Sequence, residues 1–173
     1  MKTWRRAGLA LLMACTALSW QARAQEPAQD RVITASNPAG IVVALMNMGF
    51  NPELTTDGIG DPLIVSRGTG GVFSVFFFGC DETSHDNCQS IRIQVGYDRE
   101  QPWTPAQAMQ LSAQFPFLAV RLDPEGDPFV HWDLHLGAGI PEPVFVRNVR
   151  AFEESVTLAA DIVYAEEKAA KGL

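Results

Sequence analysis

The amino-acid sequence predicts an α+β fold: an antiparallel sheet of about five to six strands with helices packed on it, in the order α-ββββ-α-ββ-α. Apolar residues recur at every second position in several segments, which is the period of strands with one buried face. Two segments open with helix start signals, and a third has apolar residues at helical spacing. Strands and helices come in runs and do not alternate one by one, which favours α+β over α/β.

Three helices are predicted from capping residues and periodicity. Asn37 is an N-cap residue, Pro38 follows at the first helical position, and Gly49 stops the segment. A second helix is expected after Thr104, which is again followed by proline. The third is a long amphipathic helix near the C-terminus, because its apolar residues recur at steps of three and four. Those residues are Phe145, Val149, Phe152, Val156, Ala159 and Val163.

The strands are predicted from alternation between turn signals. Four of them are "ELTT", "PLIVSR", "VFSVFFF" and "SIRIQVGY", separated by "DGIGD", "GTGG" and a loop with two cysteines. Such short connections favour an antiparallel meander. Two further strands, "FLAVRLD" and "FVHWDLHL", flank the turn "PEGD" and predict a hairpin.

The N-terminus predicts export. Residues 1–24 combine a basic start, a short apolar run and the small-residue site "ARA", which together are typical of a secretory signal peptide cleaved near Ala24. The apolar run is shorter than the roughly 20 residues that a bilayer-spanning helix needs, so we expect no integral membrane segment. The expected location is the periplasm or the exterior, and "LMAC" leaves open a lipoprotein anchored through Cys15.

The rest of the chain divides into three parts. We expect a flexible lead-in over residues 25–35, a single domain over 36–168 and a tail over 169–173.

The chain that remains after cleavage is acidic. Four of the 13 basic residues and none of the 20 acidic ones precede residue 25, which leaves nine basic against 20 acidic residues. Nucleic acid and anionic lipid are therefore excluded as expected partners, because both require a basic surface.

Cys80 and Cys88 are expected to form a disulfide bond. They are the only cysteines after residue 24, they lie at the facing ends of two adjacent predicted strands, and export would place them in an oxidising compartment. A zinc site with His85 is disfavoured by the spacing. A redox-active pair is disfavoured because the C-x-x-C spacing is absent.

His131, Asp133 and His135 form the alternative functional site, a transition-metal site. The pattern H-x-D-x-H on a strand places all three side chains on one face, and imidazole and carboxylate are ligands for such metals. Geometry is unfavourable, since the two histidines stand about 13 Å apart along an extended strand. The polar face of a half-exposed strand explains the same pattern.

The strand at residues 72–78 is apolar on both faces, which suggests a protein-binding surface. A sheet with helices on one side buries only one face of such a strand, so the other is available to a partner or a second copy of the chain. The candidate binding residues are Phe73, Val75, Phe76, Phe77 and Phe78. The sequence carries no nucleophile elbow, phosphate-binding loop or metalloprotease helix, so we expect no enzyme and no cofactor.

Several segments form a recognisable set of motifs: "GIVVALMNMGF", "GDPLI", the aromatic strand ending in a cysteine, the turn "LDPEGDP" and the corner at Gly139 and Ile140. Together they resemble the YbjN family of bacterial sensory transduction regulators. The resemblance implies a fold similar to type III secretion chaperones, which usually dimerise and bind partner segments. The implied function is that of a non-enzymatic regulator, adaptor or chaperone. Combined with export, it predicts binding to an envelope protein of unknown identity, or homodimerisation.

Overall fold

A computed structural model describes residues 31–172 of the chain. These residues form four helices, a six-stranded antiparallel sheet and a separate two-stranded sheet. The mixed α+β class and the order of the main elements are as predicted. The elements are β1 (Val32–Ile33), α1 (Pro38–Asn47), β2 (Glu53–Thr56), β3 (Pro62–Gly68), β4 (Gly71–Phe78), β5 (Ser90–Gly96), α2 (Pro105–Ser112), β6 (Ala119–Leu122), β7 (Pro128–His135), β8 (Ile140–Pro141), α3 (Glu142–Val163) and α4 (Ala165–Lys171).

The large sheet has the strand order β2-β3-β4-β5-β7-β6. Strands β2 to β5 form the predicted meander, and β6 and β7 form the predicted hairpin. The hairpin joins the meander through β7, which pairs antiparallel with β5, while β6 becomes an edge strand. This order places β4 and β5 near the centre of the sheet.

The helices pack on one face of this sheet. The inward side chains of β4 and β5 share one core with the buried residues of α1 and α3. In α3 the buried positions are Phe145, Val149, Phe152, Val156, Ala159 and Val163, together with Glu142. The apolar spacing of the C-terminal segment therefore marks the side of α3 that contacts the sheet.

The first two helices begin where their capping residues predict. The Asn37 side chain accepts a hydrogen bond from the Gly40 amide at 3.1 Å. Thr104 and Gln107 cap α2 reciprocally, with the Thr104 amide donating to Gln107 Oε1 at 2.9 Å. Each cap satisfies amides that the first turn of a helix leaves without partners.

At both ends of the described chain, secondary structure extends into segments that were predicted to lie outside the domain. The prediction of a flexible lead-in over 25–35 is wrong for its last five residues, since β1 pairs with β8 and Ile33 is 2% exposed. The tail predicted to start at residue 169 belongs to α4, which continues to Lys171. The signal peptide, Cys15 and residues 25–30 of the lead-in lie outside the described residues. Within residues 31–172, no helix is long and apolar enough to cross a membrane.

Candidate interaction face of the sheet

The sheet has a second face, opposite the helices, which we call the open face. Alternation along β4 separates the two faces: Phe73, Val75 and Phe77 are 3%, 1% and 1% exposed and belong to the core. The prediction that these three bind a partner is therefore wrong, because their side chains are already covered by the helices of the same chain. Phe76 and Phe78 point to the open face, where Phe76 is half-buried and Phe78 is 44% exposed.

An apolar strip crosses β3 and β4 on the open face. We call this set of residues the apolar strip, and its members are Leu63, Val65, Val72, Phe76 and Phe78. The strand register places Leu63 opposite Phe76, whereas Val65 lies opposite Ser74 and Val72 opposite Arg67. Val72 is 46% exposed, while Leu63 and Val65 are half-buried. Apolar side chains left partly exposed on a continuous sheet surface are typical of a contact surface for another protein.

An ion pair borders the apolar strip. Arg92 on β5 donates two hydrogen bonds to the Asp133 carboxylate on β7, at 2.7 and 2.8 Å. The two residues are direct partners in the strand register. The Arg92 guanidinium also lies over the Phe78 ring, 5.4 Å from its centroid. The hydrogen bonds lower the pKa of Asp133 and raise that of Arg92, so both groups stay charged over the physiological pH range.

His131 lies on the open face, on β7 and opposite Gln94 of β5. It is 9% exposed, and its Nδ1 atom is buried without a hydrogen-bond partner among the described residues. Burial lowers its pKa, and the positive charges of Arg92 and Arg121 lower it further against the opposing effect of Asp133. The ring is therefore neutral near pH 7.

The three predicted metal ligands do not form one site, because two of them are engaged with other residues. Asp133 holds Arg92, and the His135 ring is 2.8 Å from the Ser90 hydroxyl. Alternate strand positions hold the side chains apart, and within residues 31–172 no group of three or more His, Cys, Asp or Glu side chains could hold a metal ion. The metal-site prediction for His131, Asp133 and His135 is thus not supported.

The loop between β4 and β5 is closed by a disulfide bond. Cys80 and Cys88 are joined, and their Cα atoms are 3.8 Å apart. The loop folds against the β2–β3 turn, because His85 Nδ1 lies 2.8 Å from the Asp61 carboxylate. Asp81 organises the loop by accepting from the amides of Thr83 and Ser84, both at 2.9 Å. The pKa of Asp81 is lowered chiefly by these amides. The disulfide bond and the hydrogen bonds of Asp81 thus have a structural role in this loop.

Sequence patterns did not predict a role for the basic residues of the open face. Arg67 on β3 and Arg121 on β6 are exposed, and neither forms an ion pair with a described residue. Arg121 lies over the Phe129 ring at 4.4 Å and donates to Gln94 Oε1 at 3.4 Å. Alternation along each strand indicates which of its residues share a face. That Arg67 and Arg121 lie on the same face of the sheet depends on strand order, which no local pattern gives.

The sequence profile of the YbjN family, described as "Putative bacterial sensory transduction regulator", matches residues 37–161. The chain belongs to the YbjN family. No curated protein matches the chain. The matched range runs from the N-cap of α1 into α3 and so contains every strand of the open face. The family description points to regulation.

Proposed function

We propose that this YbjN protein is an exported, non-enzymatic regulator that acts by binding another protein of the cell envelope through its open face. The observation that carries the proposal is the apolar strip, whose Val72 and Phe78 are 46% and 44% exposed. Burying such side chains against a partner is favourable by about 25 cal/mol for each Å² of apolar surface. The family description as a regulator agrees with a role in binding.

Charge indicates the chemistry of the partner. The described residues contain nine Lys and Arg against 18 Asp and Glu. The open face departs from this balance, with Arg67, Arg92 and Arg121 against Glu53 and Asp133. Since Asp133 already neutralises Arg92, the face favours a partner that combines apolar side chains with carboxylates.

Substitution on the apolar strip tests the proposal. Phe78→Glu adds a charge to the apolar strip without touching the core, because Phe78 is 44% exposed. Leu158→Glu, on the outer side of α3 and 57% exposed, is the matched control. The tagged wild-type protein and the control should capture the same envelope protein from cell extracts, and Phe78→Glu should lose it.

Light scattering distinguishes a second copy of the chain from a different partner. Dimerisation abolished by Phe78→Glu would identify the partner as the chain itself. A strictly monomeric protein that captures nothing, or equal loss in Phe78→Glu and Leu158→Glu, would contradict the proposal. Export is tested separately by sequencing the N-terminus of the cellular protein, which we expect to begin at Gln25.

A further inference from the structure

Helix α4 lies against the domain without burying a side chain. None of its seven residues, all of which the structure describes, is buried, whereas α3 buries seven residues. The least exposed residue of α4 is Glu167, whose side chain is 12% exposed. Undocking of α4 would therefore expose little apolar surface, so the hydrophobic effect contributes little to holding it in place.

The polar contacts of α4 converge on one segment, residues 98–101, between β5 and α2. The Glu167 carboxylate lies 3.2 Å from Arg99 Nε and accepts from the Glu100 amide at 3.1 Å. Lys171 Nζ lies 2.7 Å from Glu100 Oε1, and both of these side chains are more than half exposed. Since ion pairs between exposed side chains contribute little to stability, Glu167 is the main docking residue of α4.

Arg99 is the partner of Glu167 in the domain. Its side chain is 2% exposed, and its guanidinium also donates to the carbonyl oxygens of Val163 and Gln101. These two acceptors belong to α3 and to the segment 98–101, so they stay in place if α4 leaves. Arg99 thus keeps part of its hydrogen bonding without α4 and loses only its carboxylate partners.

Tyr164 separates α4 from α3. Its φ of −96° and ψ of 4° interrupt the helix between the two elements. The Tyr164 hydroxyl donates to the Asp98 carbonyl at 3.1 Å, and its ring meets the Tyr97 ring edge-on, with the centroids 6.0 Å apart. The chain is therefore anchored up to Tyr164. A detached helix of seven residues is unstable in water, so α4 would unfold when it undocks.

We propose that α4 is a strap that opens independently of the domain, hinged after Tyr164 and latched by the ion pair between Glu167 and Arg99. The closed strap covers Arg99, and the open strap exposes the Arg99 guanidinium on the helix side of the molecule. Residues 165–171 lie beyond the range matched by the YbjN profile, which ends at residue 161. The strap is thus distinct from the matched domain and from the open face.

Amide hydrogen exchange, measured by nuclear magnetic resonance, tests independent opening. The Lys168 amide donates to the Tyr164 carbonyl at 2.9 Å and reports on the strap, while the Phe152 amide reports on α3, since Phe152 is 1% exposed. We expect Lys168 to be at least about hundredfold less protected than Phe152, with a weaker dependence on urea, because its opening exposes little surface. Equal protection and equal urea dependence of the two amides would overturn the proposal.

Two variants of neighbouring residues test the latch. Glu167→Gln removes the charge that faces Arg99, so exchange at Lys168 should become about tenfold faster while exchange at Phe152 stays the same. Glu166→Gln is the matched control, because it removes the same charge from the same turn, but the Glu166 side chain is 73% exposed and its carboxylate is 3.6 Å from Arg99. We expect this control to change exchange by about twofold or less. Equal effects of the two variants, or equal acceleration at Lys168 and Phe152, would refute the latch.

Labelling with phenylglyoxal, which modifies accessible guanidinium groups, tests whether the open strap exposes Arg99. Mass spectrometry should find Arg99 modified about tenfold faster in Glu167→Gln than in the wild type or in Glu166→Gln, in proportion to the open population. Arg150, exposed on α3, should be modified equally in all three proteins. Faster exchange at Lys168 without faster modification of Arg99 would show that the strap does not cover this residue and would overturn that part of the proposal.

Discussion

Burial without a hydrogen-bond partner sets His131 apart from Asp133 and His135 on the same strand. The polar atoms of its neighbours are paired across β5 and β7, whereas Nδ1 of His131 has no partner among the described residues. A neutral imidazole tolerates this position, and an imidazolium would be desolvated and close to two guanidinium groups.

His131 should make the fold sensitive to mild acid. Its pKa in the folded state lies below the ordinary 6.5, so the unfolded state binds a proton that the folded state resists. Stability is therefore fully present above about pH 6.5 and falls as the pH drops through that value towards the folded pKa. We expect the free energy of unfolding, measured with urea, to decrease between about pH 7.5 and about pH 5.5, and to decrease less in His131→Gln.

The matched control for that substitution is His135→Gln, at an exposed position of the same strand. The pKa values of Asp133 and Asp81 are both lowered, so these two carboxylates titrate below this pH window. Equal flattening of the pH dependence by both histidine variants would contradict the role assigned to His131.

The disulfide between Cys80 and Cys88 should stabilise the protein by restricting its unfolded chain. The cysteines are separated by 8 positions, and closing so short a loop contributes about 2.5 kcal/mol. Reduction of the wild-type protein tests this without a substitution, which matters because Cys88 is 1% exposed and serine there would bury a hydroxyl. We expect a lower urea midpoint in reductant. Unchanged midpoints with confirmed free thiols would exclude a stabilising role.

At the scale of secondary-structure elements, local signals allowed most of the fold to be predicted. Asn37 and Thr104 each cap a helix that begins with proline, and alternation marks the strands of the large sheet. The short pair β1 and β8 was missed, because two residues carry no recognisable period and their partners lie over 100 positions apart. Such pairing is decided by tertiary packing.

The proposed binding face could be predicted only in part. Phe73 and Phe76 are both apolar, so composition along β4 does not say which side the helices cover. The strand register shows which side is covered, because Phe77 lies opposite Ile91 of β5 in the core whereas Phe76 lies opposite Arg92 on the open face. The proposed site therefore rests on pairings between strands that the sequence alone did not specify.

Gly139 should hold the β1–β8 pair together. Its φ is +115°, and a Cβ atom there would lie 2.1 Å from Val32 Cγ1. Gly139→Ala should consequently release β1 and increase hydrogen exchange at the Ile33 amide. Gly49→Ala is the control, because Gly49 also has a positive φ, of +94°, but a Cβ atom there meets nothing within 4 Å. If both variants leave exchange at Ile33 unchanged, the close contact does not hold the strand.

At the scale of the whole molecule, charge and apolar surface are distributed unevenly. The described chain has twice as many acidic as basic residues, yet three of its nine basic residues lie on the open face. Two open faces packed against each other would place four arginine charges without ion-pair partners among the described residues, Arg67 and Arg121 of each copy, in one interface. This arrangement favours a partner with carboxylates over a second copy of the chain.

The charge of the open face should make partner capture depend on salt. Arg67→Gln combined with Arg121→Gln removes two exposed charges that form no ion pair with described residues. We expect this variant to retain less of the captured protein than the wild type at low ionic strength, because attraction between the open face and carboxylates is lost. The difference should shrink near 1 M salt, where the screening length falls to about 3 Å.

Arg147 and Arg150, on the outer side of α3, provide the matched control. Replacing both with glutamine changes the net charge by the same amount, so the general field of the molecule shifts equally while the open face stays intact. Capture by this control should equal that of the wild type at every salt concentration. If the two double variants lose capture to the same extent, net charge and not the open face governs binding, and the open face is left with its apolar strip alone as the basis of recognition.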